Sequence, residues 1–220
     1  MNIASYIDHT ILKPTVTASE IERICNEAKE YHFAAVCIPP LFVKKAREAV
    51  AGTGVKVATV IGFPFGYSAV EAKIAETVLA IVDGVDELDV VINISAIKNN
   101  DWQFLANEIN HIMPIIKNKN KVIKVIIESG ILTNDEIIKC CDIYGAAGID
   151  FMKTSTGYAE KGASVEAVSL MRKHLPDMIQ IKASGGIKSY NFAKQLIDAG
   201  ATRLGCSSSI QIVKEALQQN

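Results

Sequence analysis

Short, nearly unbroken apolar runs alternate along this chain with longer stretches whose apolar residues recur every three or four positions. The first pattern reads as β-strand covered on both faces, the second as helix with one face in a core. Eight runs fit the strand pattern: "SYIDHT", "FAAVCI" from Phe33, "VKVATVIG" from Val55, "DELDVVINI" from Asp86, "KVIKVIIES" from Lys121, "IDFMKTS" from Ile149, "IQIKAS" from Ile179 and "ATRLGC" from Ala201. The first is short and weak as a strand by itself.

Helical patterns fill the gaps. "TASEIERICNEAKEYH" opens on a cap at Thr17 or Ser19 and keeps Ile21, Ile24, Cys25 and Ala28 on one face. "PPLFVKKAREAVAG" begins with prolines that suit a first turn and ends in Gly52. Ser68 and Glu71 have capping-box spacing ahead of "VEAKIAETVLAIVDG". Asn100 or Asp101 starts the next helix, with a kink expected at Pro114. Four further segments, beginning near Thr133, Ser164, Lys188 and Ser208, complete the set.

Strand starts fall about 22 to 35 residues apart, the length of a strand, a helix and two short loops. No linker or low-complexity segment interrupts the series, so residues 1–220 are expected as one domain. Eight units predict a closed (β/α)8, or TIM, barrel. The structural rival is a doubly wound open sheet, which needs fewer parallel strands and a crevice where strand order reverses. The strand count, and the polar residues ending so many strands, favour the barrel.

Composition narrows the function. Hydrophobic residues are 49% of the 220 and charged residues 21%, with a net charge of -1; mean hydropathy is +0.21. No basic excess points to nucleic acid. The densest basic run, Lys117 to Lys124, is expected as a solvated cap at a helix end. No apolar run is long enough to span a membrane, and no signal peptide is visible. His9, His32, His111 and His174 are scattered without metal-ligand spacing, so no metal is expected. Five cysteines without framework spacing argue against disulfides and for a reducing cytoplasm.

Barrel active sites gather at the carboxyl ends of the strands. The polar residues there are Asp8, Asp89, Asn93, Glu128, Lys153, Lys182, Ser207 and Ser208. Lys153 and Lys182 each lie inside an apolar strand, on neighbouring strands. Either alone could be a snorkelling lysine or a partner for a structural carboxylate. Together, mutual repulsion and desolvation favour one neutral amine able to attack a carbonyl. Asp89 is the candidate acid for moving protons, although it could instead only hold a lysine charged. Gly157, Gly185 and Gly186, with Ser207 and Ser208, offer bare amides and a helix start where barrels often bind phosphate; ordinary turn chemistry is the alternative. "GFPFG" shapes a rim or makes a rigid turn. Trp102 reads as packing, Tyr158 as a pocket-mouth residue and Cys37 as a core thiol near the site.

The motifs "YIDHTILKP", "AAVCIPP", "VATVIGFPFG", "DELDVVINI", "KVIIESG", "DFMKTSTGY", "IKASGGI" and "GATRLGCSSS" run through the whole chain. By these the chain resembles the deoxyribose-phosphate aldolases, Schiff-base enzymes on a (β/α)8 barrel. The resemblance implies that Lys153 forms the imine, that Lys182 lowers its pKa, and that Asp89 moves protons through ordered water. It implies that Asp8 supports the lysine network and that Gly157, Gly185, Gly186, Ser207 and Ser208 bind the substrate phosphate. It further implies a small phosphorylated sugar as substrate, no cofactor, and a cysteine at position 37 open to modification by aldehyde. Ser129, Pro39, Cys206 and Ser209 depart from the family pattern, and the last two bear on the phosphate site. The functional rivals are a transaldolase-like enzyme with a ketone donor, a phosphate-binding isomerase or epimerase, and a ligand-binding barrel without a reactive lysine. A homodimer through outer helices is expected.

Overall fold

A computed structural model describes residues 2–219. Eight parallel strands close into a barrel in chain order: β1 (Ile7–Thr10), β2 (Ala35–Ile38), β3 (Lys56–Ile61), β4 (Glu87–Val91), β5 (Val122–Ile126), β6 (Phe151–Lys153), β7 (Gln180–Ser184) and β8 (Arg203–Cys206). Each lies within one of the eight apolar runs. β1, the weakest by sequence, is held by register with strands on both sides: Asp8 pairs with Ala35 of β2 and Gly205 of β8.

The outer ring is α1 (Ala18–Tyr31), α2 (Val43–Ala49), α3 (Val70–Val82), α4 (Ile94–Lys98), α5 (Trp102–Lys117), α6 (Asn134–Ala147), α7 (Val165–His174), α8 (Tyr190–Asp198) and α9 (Ser209–Gln218). Of the two caps offered for α1, Thr17 is the one used, in a full capping box with Glu20; Thr133 and Glu136 repeat it at α6. The expected box at Ser68 and Glu71 does not form. α3 starts one residue later, with Ala69 at its cap and no side-chain bond, so Ser68 falls outside the reciprocal spacing. Pro114 lies inside α5, and the helix runs on through it to Lys117. The short α4 has no counterpart in the sequence pattern; Asn93, a candidate site residue by sequence, lies beyond β4 and caps it by accepting from the Ala96 amide.

Alternation along the strands makes two interiors. Outward positions such as Ile7, Val36, Val57, Leu88, Ile123, Met152, Ile181 and Leu204 form the large apolar layer beneath the helices. Inward, β2 and β3 supply a small apolar cluster, Ala35, Cys37, Ala58 and Val60. Elsewhere the barrel interior carries buried charge, with Phe151 among it: Asp8, Glu87, Asp89, Lys124, Lys153 and Lys182 are all buried. The basic run from Lys117 is therefore not one solvated cap. Lys119 is exposed, but Lys124 is fully buried, because it sits on the inward face of β5 between outward Ile123 and Val125.

Candidate active site

Asp89 is the hub of the charged interior. Its Oδ1 accepts from Lys124 Nζ at 2.8 Å. Its Oδ2 accepts from both Lys153 Nζ and Lys182 Nζ, each at 2.7 Å. Asp8 holds Lys182 Nζ at 2.5 Å through Oδ2 and Arg203 at 2.7 Å through Oδ1. Glu87 pairs with Lys124 at 2.6 Å and Arg203 at 3.0 Å. Phe151 closes this lower layer, with the Arg203 guanidinium 5.4 Å from its ring centre.

Buried charges persist only when paired. The cations here are Lys124, Lys153, Lys182 and Arg203, and the carboxylates ion-paired with them are Asp8, Glu87 and Asp89. With one lysine neutral, three cations face three carboxylates. The local environments single out that lysine. Burial pulls the Lys153 amine below its ordinary value, Asp89 opposes this, and Lys182 adds to it, leaving the pKa lowered. Burial acts on Lys182 in the same sense, but Asp8 and Asp89 together outweigh it and raise its pKa well above the usual range. Asp89 and Glu87 likewise hold Lys124 charged against the effect of burial. Burial pushes Asp89 up, yet Lys124, Lys153 and Lys182 hold it well below the usual carboxylate range. Asp8 is depressed in the same way, with Lys182, Arg203 and Lys124 overcoming burial.

Lys153 opens upward into a cavity of about 390 Å³ at the carboxyl ends of the strands. Gly157, Gly185, Gly186 and Ser207 line it, and Ser184, Lys13 and Lys188 line it as well. Ser208 immediately precedes α9 and is not among the lining residues. Gly185 has φ +88°, and a Cβ there would stand 3.1 Å from the Gly162 Cα and 3.3 Å from the Gly157 Cα. Close backbone packing of three glycines thus builds this wall. Tyr158 also lines the cavity: its hydroxyl donates to the Leu12 carbonyl at 2.9 Å, and its ring meets Phe63 of the "GFPFG" loop edge-on at 5.4 Å.

Other expected residues fall nearby. Asp8 and Lys182 lie beneath the cavity and are fully buried. Glu128 follows β5 and is buried; both its oxygens accept from the Thr156 amide, at 3.2 and 3.3 Å, and its carboxylate accepts from the Thr156 hydroxyl. It orders the loop after Lys153. Burial raises its pKa against those bonds. Cys37 lies in the small apolar cluster, where burial pushes its thiol up. Trp102 packs against the outer core with Lys139 over its ring at 5.4 Å. Lys124 and Arg203 are interior groups that the strand-end polar pattern does not mark. For Lys124 the signal is local, a charged residue between apolar Ile123 and Val125 in a strand; Arg203, between Thr202 and Leu204, carries no such mark. Among the described residues no cluster of His, Cys, Asp or Glu is arranged to hold a metal, and no helix is long and apolar enough to cross a membrane.

Fold and site define a (β/α)8 barrel whose ionic interior ends in one lysine open to a glycine-walled cavity. Residues 2–212 match the DeoC/LacD family aldolase model, and the chain belongs to that family. It is 48% identical over 220 residues to a deoxyribose-phosphate aldolase of Caldanaerobacter subterraneus subsp. tengcongensis, covering 100% of this chain and 95% of the relative. It is 47% identical over 216 residues to one from Thermoanaerobacter pseudethanolicus, covering 98% and 97%. The tetrameric deoxyribose phosphate aldolase of Aeropyrum pernix superposes with a TM-score of 0.92 at 31% identity, over 99% of this chain and 92% of that one.

Proposed function

We propose that this chain interconverts 2-deoxy-D-ribose 5-phosphate with D-glyceraldehyde 3-phosphate and acetaldehyde through a Schiff base on Lys153. The observation that carries the reading is the position of Lys153: buried, depressed in pKa, 2.7 Å from Asp89 and open to the cavity. In cleavage, the neutral amine adds to the C1 aldehyde of the open-chain sugar and water leaves, giving a protonated imine. Water held by Asp89 and Lys182 takes the C3 hydroxyl proton. The C2–C3 bond breaks, its electrons move to the imine nitrogen, and glyceraldehyde 3-phosphate departs. The resulting enamine is protonated at carbon, and hydrolysis releases acetaldehyde and the free amine. Synthesis is the reverse. The imine stores the electrons, so the chemistry calls for neither metal nor organic cofactor.

Asp89 is matched to both states of Lys153. It tolerates the neutral amine because Lys124 and Lys182 still satisfy it, and it faces the positive charge of the iminium once formed. The phosphate is assigned to the end lined by Gly157, Gly185, Gly186 and Ser207, beside Ser208 and the start of α9; Lys13 and Lys188 on the rim favour an anion there. The five cysteines are free and buried, in keeping with a reducing cytoplasm. Self-association as a homodimer is supported by the exposed apolar side chains Val78, Leu79 and Val82 on α3.

Borohydride reduction in the presence of 2-deoxyribose 5-phosphate, followed by peptide mass spectrometry, tests the reading. The expected result is a reduced adduct on Lys153. An adduct only with a ketose phosphate moves the assignment to a transaldolase-like enzyme, and no adduct with either overturns the Schiff base.

A further inference from the structure

The densest titratable cluster on the outer side of β1 involves His9. Strand alternation turns His9 away from Asp8, out of the barrel, where it is 4% exposed. Its Nε2 lies 2.7 Å from Glu27 Oε2 on α1, and Arg23 holds the other Glu27 oxygen at 2.6 Å. Its Nδ1 lies 2.9 Å from the Ser209 hydroxyl, and the Phe33 ring flanks it at 5.1 Å. Ser209 is the first residue of α9 and fully buried; its hydroxyl is also 2.9 Å from the Cys206 carbonyl. His9 and Cys206 are register partners between β1 and β8.

A serine, a histidine and a carboxylate in series resemble a nucleophile with its base. Here the serine oxygen has no solvent access, and neither Ser209 nor His9 lines the cavity. The series does something else. It ties α1 and β1 to both ends of the short turn that carries Ser207 and Ser208: Ser209 closes the turn on Cys206, and His9 fixes Ser209.

We propose that Glu27, His9 and Ser209 form a positioning strut that sets the Cys206–Ser209 turn and the first amides of α9 at the phosphate end of the cavity, and thereby sets affinity for phosphorylated substrate without acting on the chemistry at Lys153. The proposal rests on the phosphate assignment made above. Glu27 orients the imidazole, and the His9–Ser209 contact is the link that holds the turn.

The test compares the intact wild-type chain with Ser209→Ala, His9→Asn and His9→Gln on 2-deoxyribose 5-phosphate and on unphosphorylated 2-deoxyribose. Asparagine places a polar atom where Nδ1 stands, glutamine where Nε2 stands. Ser209→Ala and His9→Gln are expected to raise KM for the phosphorylated sugar about tenfold, the size of one lost hydrogen bond. Both should leave kcat, and kcat/KM for the unphosphorylated sugar, unchanged, and His9→Asn should stay near wild type on both. Inhibition by inorganic phosphate should weaken in the same two variants. Equal losses on both sugars, or His9→Asn no better than His9→Gln, overturns the strut. A wild type indifferent to phosphate overturns the phosphate assignment and the strut with it. A wild type that prefers the phosphorylated sugar, with Ser209→Ala and His9→Gln unchanged, overturns the strut alone.

Discussion

Lys153 and Lys182, register partners on adjacent strands, place their amine nitrogens at the same distance, 2.7 Å, from the same oxygen of Asp89. Their pKa directions are nonetheless opposite. The difference is a second carboxylate. Lys182 also has Asp8 at 2.5 Å, whereas among the described residues Lys153 has Asp89 alone in ion-pair range and otherwise meets the cavity. One aspartate on β1 therefore decides which of the two lysines is held as a fixed charge and which has its pKa lowered.

Lys153→Met should abolish turnover, by about four orders of magnitude or more, because the other interior lysines, Lys124 and Lys182, do not line the cavity, and Lys13 and Lys188, which do, lie on its rim away from Asp89. It should not destabilise the fold. A lysine whose folded pKa is lowered opposes folding at pH values below its unfolded value near 10.4 and is relieved of that cost as pH rises. Replacing it with an apolar side chain of similar length leaves Asp89 paired with Lys124 and Lys182. Thermal unfolding at pH 7 should give a Tm equal to or above wild type. A fall of several degrees would show that Lys153 is a structural cation.

Lys182→Met should move the acid limb of the kcat/KM profile to higher pH by about one unit. The Lys182 charge lowers the Lys153 pKa, and Lys182 also competes for Asp89 Oδ2. Losing it removes a repulsion and frees Asp89 for Lys153, and both effects keep Lys153 protonated longer. The rate should also fall sharply, since the water that moves the proton loses a holder. A pH profile superimposable on that of wild type would remove Lys182 from the control of Lys153.

The strands and the lysine pair were legible because each is a local signal. An apolar run of strand length is visible in one segment, and a lysine between Ile181 and Ala183 is anomalous wherever it occurs. The sharing of Asp89 was not legible, since it depends on register across β4, β5, β6 and β7 that no single segment encodes. Lys124 was obscured by its surroundings. It ends a basic run whose earlier members are on the surface, and only strand parity separates it from them. α3 shows the limit at helix ends, where a one-residue shift disables an otherwise suitable capping pair.

Asp8→Asn should lower stability at neutral pH, by about 3 kcal/mol for removing one partner of a buried ion-paired cluster, because Lys182 and Arg203 each lose a carboxylate. The pH dependence has a definite sign. Asp8 and Asp89 have folded pKa values below the unfolded value near 3.9, so their contribution is present above that value and is lost as pH falls towards their folded values. Urea unfolding from pH 7 to pH 3 should therefore show wild-type stability falling from about pH 5 downward. The gap to Asp8→Asn should narrow over the same range. A gap constant with pH would mean that Asp8 contributes by packing and not by charge.

Gly205→Ala isolates the geometry beside Lys182. A Cβ at Gly205 would stand 2.9 Å from Lys182 Cε and 3.0 Å from Ser184 Cβ. Its φ lies outside the left-handed region, so the cost is contact and not backbone strain. Lys182 cannot simply retreat, because Asp8 and Asp89 hold its nitrogen from two sides. The expected result is a loss of about 1–3 kcal/mol in stability, as for overpacking, and a fall in kcat of about ten- to a hundredfold as the pair shifts off Asp89. A double-mutant cycle with Lys182→Met separates causes. Methionine has no charged tip to be held, so its end can move aside and the alanine should then add little further loss of rate. Rate losses that simply add would mean that Gly205 acts through Ser184 and the cavity wall, with Lys182 left in place.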